Sequence, residues 1–362
     1  MSTTYKSADP ICEQVVGIAT RLRPRLDDVD EILITGASGF IGRRLMDRLR
    51  SRGLSVRGVD ISTDLKRQVV AGDIAEPGPW QASAEGCDVV VHAAAATTPA
   101  ATREVRWRTN VLGTRNALDA AIAGGAKRFV HISSVRAYGD TDFPDGVDES
   151  YPVRVDGDAY ADTKVASEQV VLQAHAAGEI DCTILRAGDV YGPGSRAWTV
   201  LPVEAIRAHR FVLPAKGRGV FSPLYVENLI DAVELLGDHE GSAGRVLNVT
   251  DGVGIPCREF FGHYSRMLGK GAPPVLPTLA AIGLAAVPEA AARIGGTDTD
   301  SNRSAMRWLA RPGTYSIERA RALGFAPAVG IDEGMRETEK WLGEHGLLRG
   351  AAGHRSLQGA RR

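Results

Sequence analysis

Tyr160 and Lys164 stand four residues apart in the run YADTK. In a helix that spacing puts both side chains on one face, one turn apart, and the surrounding pattern predicts a helix from about Ala159 to Ala177. A phenol ionises reluctantly near neutral pH, whereas an ammonium held beside it favours the phenolate. The pair is therefore suited to giving a proton to a bound substrate or taking one from it. Taken alone, YxxxK occurs in many helices whose tyrosine packs and whose lysine is solvated, so its neighbours decide. HISSVRAYG, a strand pattern ending in hydroxyls, precedes it, and TILRAGDVYGPG, a second strand pattern running into a glycine-rich turn, follows it.

A second constellation lies nearer the N-terminus. Gly36, Gly39 and Gly42 form GxxGxxG inside TGASGFIG, between a predicted strand and a helix pattern that begins near Phe40. The first glycine permits a tight turn, the second lets backbone approach a pyrophosphate, and the third lets helix and strand pack closely. The N–H groups of the helix start then face the anion. Ser38, Phe40 and Ile41 belong to the same cofactor loop. Asp60 ends the next predicted strand, eighteen residues beyond Gly42, where a carboxylate accepts bonds from the adenosine ribose hydroxyls and repels a 2′-phosphate. NAD is the expected cofactor, with NADP left open by the nearby Arg43, Arg57 and Arg67. Lys164 has a second expected task, donating to the nicotinamide ribose, so Tyr160 and Lys164 both count as cofactor contacts.

These residues need elements to position them. From Glu31 onward, short β-branched or apolar runs alternate with longer helical patterns, which predicts an α/β fold of the Rossmann type, a doubly wound parallel sheet with helices on both faces. The candidate strands are Ile32 to Thr35, Ser55 to Asp60, Gln68 to Ala71, Asp88 to His92, Phe129 to Ile132 and Thr183 to Arg186. Residues 30–190 plus 221–251, with Val226 to Leu236 as a returning helix, are expected to form the NAD-binding domain. Residues 191–220 plus 252–349 are expected to form a smaller C-terminal substrate lobe. Within 1–29, Ile11, Val15, Ile18, Leu22 and Leu26 recur at helical spacing, which predicts an amphipathic helix that docks on the domain or on a second subunit of a homodimer. The polar tail 350–362 is expected to be disordered.

Composition narrows the class. The 362 residues are 44% hydrophobic and 24% charged with a formal net charge of −1, a globular balance that suggests neither nucleic acid nor another polyanion as partner. Cys12, Cys87, Cys182 and Cys257 form no CxxC pair, and no HxxxH or comparable cluster suggests a metal. Charged residues interrupt the only early apolar stretch, so no leader is expected and the cytoplasm is the expected location. The apolar segment Val275 to Val287 has thirteen residues, too few to span a bilayer. It is read as a buried or substrate-covering helix, so no integral membrane span is expected.

Taken in order, TGASGFIG, Asp60, the GDI of Gly72 to Ile74, HAAA from His92, TNVLGTRN from Thr109, SSVRAYG, YADTK, VYGPG from Val190 and LYVENLIDA from Leu224 resemble the extended short-chain dehydrogenase/reductases. The resemblance covers about residues 30 to 345 and points to the NAD-dependent epimerase/dehydratase and 3β-hydroxysteroid dehydrogenase-like group. It implies that Ser134 is the hydroxyl that binds the reacting oxygen beside Tyr160, with Ser133 as the fallback. It also implies that Asp73 and Ile74 flank the adenine, that Ala93, Ala94 and Ala95 let the cofactor lie close to backbone, and that Ala187 and Val190 line the same site. Asn110 reads as a buried hydrogen-bonding residue of the central helix.

The scaffold hosts oxidoreduction, epimerisation and dehydration alike, so departures from the family pattern must separate them. Sugar-nucleotide members usually carry asparagine where this chain has Asp189, and a carboxylate there is expected to repel a substrate diphosphate. Ala187 replaces the family's usual proline. The run from Ser195 through Trp198, and the later RPGTYSIERARALGFAP, are similar to the hydroxysteroid-dehydrogenase-like branch. The expectation is an enzyme, an NAD-dependent oxidoreductase interconverting a secondary alcohol and a ketone on a low-polarity or natural-product small molecule, with Thr97, Ser134, Asp189 and Trp198 near the substrate. The alternatives are a sugar-nucleotide epimerase or dehydratase and a non-catalytic NAD-binding regulatory protein.

Overall fold

The computed structural model describes residues 29–98, 101–140, 144–237, 239–295 and 303–348. The expected amphipathic helix carrying Ile11 to Leu26 and the tail from 350 lie outside the described residues.

Among the described residues eleven strands are present: β1 (Glu31–Thr35), β2 (Ser55–Asp60), β3 (Val69–Ala71), β4 (Val89–His92), β5 (Arg128–Ser134), β6 (Asp181–Ala187), β7 (Asp189–Tyr191), β8 (Val220–Phe221), β9 (Pro223–Tyr225), β10 (Val246–Val249) and β11 (Ile255–Pro256). Seven form one sheet in the order β10-β6-β5-β4-β1-β2-β3, all pairs parallel. Their apolar runs are continuous because both faces are covered. Ile32, Ile34, Val89, Val91, Val130 and Leu185 pack into one core. Leu33, Val90, Phe129 and Ile184, which alternate with them, pack into another on the opposite face. The sheet is wound outward from β1 and β4, so the crevice beyond their C-terminal ends is where such folds bind ligands.

A third core gathers Tyr191, Val203, Ile206, Leu213, Phe221, Tyr225, Phe260, Phe261 and Tyr264 with Leu309, Met335 and Leu342. It is dominated by rings, with Phe221 and Phe260 stacked at 3.9 Å between centroids. A smaller cluster of Val135, Tyr138, Val147, Trp308 and Tyr315 lies where the turn after β5 meets the C-terminal segment.

Two expectations change here. β10 was not foreseen, because VLNV is a short run beside Gly244 whose strand character comes from pairing with β6. The segment Val275 to Val287 is not a buried helix. It enters the helix Thr278–Gly295, which continues through Pro288, and Ala281 and Ala285 face inward while Leu279, Leu284 and Val287 are exposed. Among the described residues no helix is long and apolar enough to cross a membrane.

Candidate active site

The helix Ala159–Ala176 is started by Asp158, whose Oδ1 accepts from the N–H groups of Tyr160 and Ala161 at 3.1 and 2.9 Å. This cap fixes Tyr160 in the first turn and Lys164 one turn below. The Lys164 side chain is buried; its Nζ donates to the Ile132 carbonyl at 2.8 Å and lies 6.0 Å from the Tyr160 ring centroid. Burial pushes the Lys164 ammonium down to about 8, against the pull of the Glu168 carboxylate. For Tyr160, burial raises the phenol above its ordinary value, while the Arg136 charge, a hydrogen bond with the Ser134 hydroxyl and the Arg106 charge act in the opposite direction.

Ser134 ends β5, and its Oγ accepts from Arg136 N at 3.2 Å. The neighbouring Ser133 points elsewhere, donating to Glu168 Oε1 at 2.5 Å, and Glu168 pairs with Arg186 at 2.6 Å. Of the two serines, Ser134 is the one at the tyrosine, and Ser133 is committed to a buried ion pair.

The glycine loop fits a dinucleotide phosphate. Gly36 has φ +71°, and a Cβ on it would lie 2.8 Å from Ala94 Cα; a Cβ on Gly42 would lie 2.2 Å from Gly36 O. Ala93 and Ala94 thus press against the turn, with Ala93 N donating to Thr35 O. The helix Phe40–Ser51 begins at Gly39 with no side-chain cap, which leaves its first N–H groups for an anion. Ser38 N donates to Asp60 Oδ2 at 3.0 Å, while Asp60 Oδ1 has no hydrogen-bond partner among the described residues. Arg57 is engaged by Glu31 and by the Ser83 and Glu85 carbonyls, and Arg67 by Asp47. Arg43 stays at the loop, bonded to Ser38 O. Asp73 is exposed and accepts from Ala75 N at 2.9 Å, with Ile74 buried beside it.

Asn110 sits in a wide turn of π type, Arg108–Leu112, and is buried. Its Oδ1 accepts from Ala96 N at 2.7 Å and its Nδ2 donates to Thr163 Oγ1 at 3.0 Å. It ties the alanine segment to the catalytic helix. His92, bonded to Thr35 and Thr114, is pushed down to about 3 by burial and then by the Lys164 charge, so the ring is neutral. Among the described residues no group of three or more His, Cys, Asp or Glu is placed to hold a metal ion.

The residues expected at the substrate divide, as do Ala187 and Val190 of the expected cofactor set. Thr97 is exposed, Ala187 ends β6 buried, and Val190 in β7 is half-buried. Trp198 is half-buried and edge-on to Phe221 at 5.1 Å. Asp189 requires a correction. It is buried, and its oxygens accept from Trp308 Nε1 at 2.8 Å, Arg311 Nη2 at 2.7 Å and Ser222 N at 3.1 Å. The charge is answered by a fully buried guanidinium, so it is neither free for a substrate nor the uncompensated repulsion expected from the sequence. Arg136, which lies over the Tyr160 ring, Asp158, which caps its helix, and Trp308, which lies under Arg136, were not singled out in the sequence. The arginine in SSVRAYG, two residues after Ser134, was the available signal.

A doubly wound sheet with a glycine cradle at its switch point and a Ser, Tyr and Lys cluster beside it defines a nicotinamide-dependent enzyme. The chain belongs to the NAD-dependent epimerase/dehydratase family, whose model matches residues 32–250. Among curated proteins it is 32% identical over 314 residues to a 4-hydroxy-2-methyl-3-oxo-4-farnesyl-3,4-dihydroquinoline-1-oxide ketoreductase of Stigmatella aurantiaca, covering 83% of this chain and 93% of that one. It is 29% identical to a 2-alkyl-3-oxoalkanoate reductase of Stenotrophomonas maltophilia, covering 84% and 97%. Among solved structures it is similar to a UDP-glucose 4-epimerase of Thermotoga maritima with UDP-glucose, at 21% identity and TM-score 0.70, covering 87% and 99%.

Proposed function

We propose that this protein is an NAD-dependent ketoreductase or alcohol dehydrogenase acting on a low-polarity or natural-product ketone. The observation that carries the reading is the likeness to a ketoreductase over 83% of the chain, which extends beyond residue 250, where the family model ends, into the ring-rich core packed around Trp198. NAD, when bound, supplies or accepts the hydride. Tyr160 gives its proton to the carbonyl oxygen as that oxygen becomes an alcohol, and takes it back in the reverse direction. Ser134 holds the same oxygen in line with the phenol. Lys164, fixed by the Ile132 carbonyl, lowers the cost of the phenolate and presents its remaining N–H groups to the ribose of NAD. The Gly36–Gly42 turn and Asp60 hold the pyrophosphate and the adenosine ribose, with Asp73 and Ile74 beside the adenine. The ring-rich core covers a substrate of low polarity.

A sugar-nucleotide epimerase or dehydratase is the competing reading, because the Arg311 partner of Asp189 removes the electrostatic objection to a diphosphate. A non-catalytic reading is disfavoured by the presence of Ser134, Tyr160 and Lys164 together. The test incubates the enzyme with NAD or NADH and a panel of UDP- and dTDP-sugars, hydroxysteroids and aryl or alkyl ketones, following nicotinamide absorbance and product mass. Stoichiometric NADH consumption or formation with an apolar ketone or alcohol is expected, and Tyr160→Phe should lower turnover by about 10²–10⁴-fold with NAD affinity nearly intact. Epimerised or dehydrated sugar nucleotide without net NADH change would replace this reading with its competitor.

A further inference from the structure

We propose that Arg136 is a specificity-determining residue that binds a second oxygen of the substrate, a carbonyl or hydroxyl one or two carbons from the reacting carbon. The proposal rests on the ketone–alcohol reading above. Arg136 lies in the short turn Val135–Tyr138 that follows β5, and its backbone N–H is already bonded to the Ser134 hydroxyl. Its guanidinium is therefore delivered to the reacting centre by the same turn that delivers Ser134. Cζ lies 5.9 Å from the Tyr160 ring centroid and 4.8 Å from that of Trp308. The cation thus stands between the proton-donating ring and a wall of the ring cluster.

Its bonding is one-sided. Nη2 donates to both oxygens of Asp140, at 3.0 and 2.9 Å, and to Ser304 Oγ at 2.9 Å, with Asp158 Oδ1 at 3.4 Å from the same nitrogen. Nε is buried without a partner, and Nη1 makes no hydrogen bond among the described residues. A guanidinium carries five N–H donors in a fixed fork, and here the nitrogens bearing three of them have no acceptor among the described residues. A buried donor such as Nε is costly to leave unsatisfied, and an oxygen arriving with the substrate gives this side of the fork a partner. The nearby Arg106 differs, because it is tied to the Thr98 and Ala101 carbonyls of the adjoining loop. Charge also selects the kind of oxygen. The carboxylates Asp140 and Asp158 already balance Arg136 and Arg106, so a neutral acceptor is accommodated without disturbing the ion pairs, whereas an added carboxylate would leave the cluster with excess negative charge.

The test compares kcat/KM with NADH for two alkyl ketones of equal chain length, one plain and one carrying a hydroxyl or second carbonyl one or two carbons from the reacting carbon. The wild-type enzyme is expected to favour the oxygenated ketone by about 10–100-fold, the range for a hydrogen bond to a charged donor. Arg136→Met should bring that ratio close to unity. Arg136→Lys, which keeps a cation for Asp140 and guards against a folding failure of the methionine variant, should retain only part of it because the planar fork is lost. Thermal unfolding of both variants checks that they are folded. Equal wild-type rates on the two ketones, or an undiminished preference in both variants, would overturn the role of Arg136 while leaving the ketoreductase reading in place. Reduction of neither ketone by the wild-type enzyme would remove that reading itself, and this proposal with it.

Discussion

The ammonium of Lys164 is placed where an enzyme wants it and where a fold does not. Its ordinary value of 10.5 falls to about 8, with burial the dominant cause. Below pH 8 both the folded and the unfolded chain carry the proton, and the fold bears the cost of the buried charge, about 3 kcal/mol at 1.36 kcal/mol per pH unit. Between pH 8 and about 10.5 the unfolded chain holds more protons than the folded one, so this contribution makes stability rise with pH. Lys164→Met should accordingly abolish turnover yet unfold later in urea at pH 7, by about 1–3 kcal/mol, and the difference should shrink when the titration is repeated near pH 10. A variant that is less stable than wild type at pH 7 would show that the bond to the Ile132 carbonyl outweighs the desolvation of the charge.

At the scale of elements, the end of β2 and the start of the helix Phe40–Ser51 meet in one turn, and on the proposed reading that meeting sets cofactor choice. Asp60 is anchored there by Ser38 N, and of the three arginines able to reverse its preference, Arg57 and Arg67 are drawn off by Glu31 and Asp47. The enzyme should therefore show a higher kcat/KM with NAD than with NADP, and Asp60→Ala should narrow the gap by raising the NADP value, as measured with both coenzymes on one substrate. An NADP preference in the wild-type enzyme would make Arg43 the controlling residue. The same scale explains what the sequence disclosed. Six strands of the main sheet were legible because each is a short apolar run bounded by turn residues, and Tyr160 and Lys164 were legible because helical spacing alone puts them on one face. The two π-type turns, Arg108–Leu112 and Arg196–Val200, were not, since their wider hydrogen bonding leaves no mark in residue type. Nor was the fate of Asp189, whose partners Trp308 and Arg311 lie 119 and 122 residues away in sequence.

Across the whole molecule, those distant partners fasten the segment Trp308–Arg311 to β7, the short strand that follows β6. Arg311 and Asp189 form a buried pair with side chains almost wholly removed from water, and removing one partner of such a pair strands the other charge. Arg311→Met should cost about 3–5 kcal/mol in denaturant unfolding, and the double variant Asp189→Asn with Arg311→Met should cost less than the sum of the two single changes. Strict additivity would mean that the two groups act independently. A second fastening runs beside it: the Tyr138 hydroxyl donates to Asn248 Oδ1 at 2.8 Å, and Asn248 Nδ2 donates to the carbonyls of Val147 and Ser316. Tyr138 closes the turn that carries Ser134 and Arg136, so the reacting centre is held by residues that leave the ribosome more than a hundred positions later. Synthesis proceeds from the N-terminus at about 5–20 residues per second, so the glycine cradle emerges well before the residues that fasten the chemistry. During translation the nascent chain passes through an interval of seconds in which the glycine turn is complete while the Tyr138 turn still lacks its Asn248 brace, and a chain terminated before Asn248 stays in that condition.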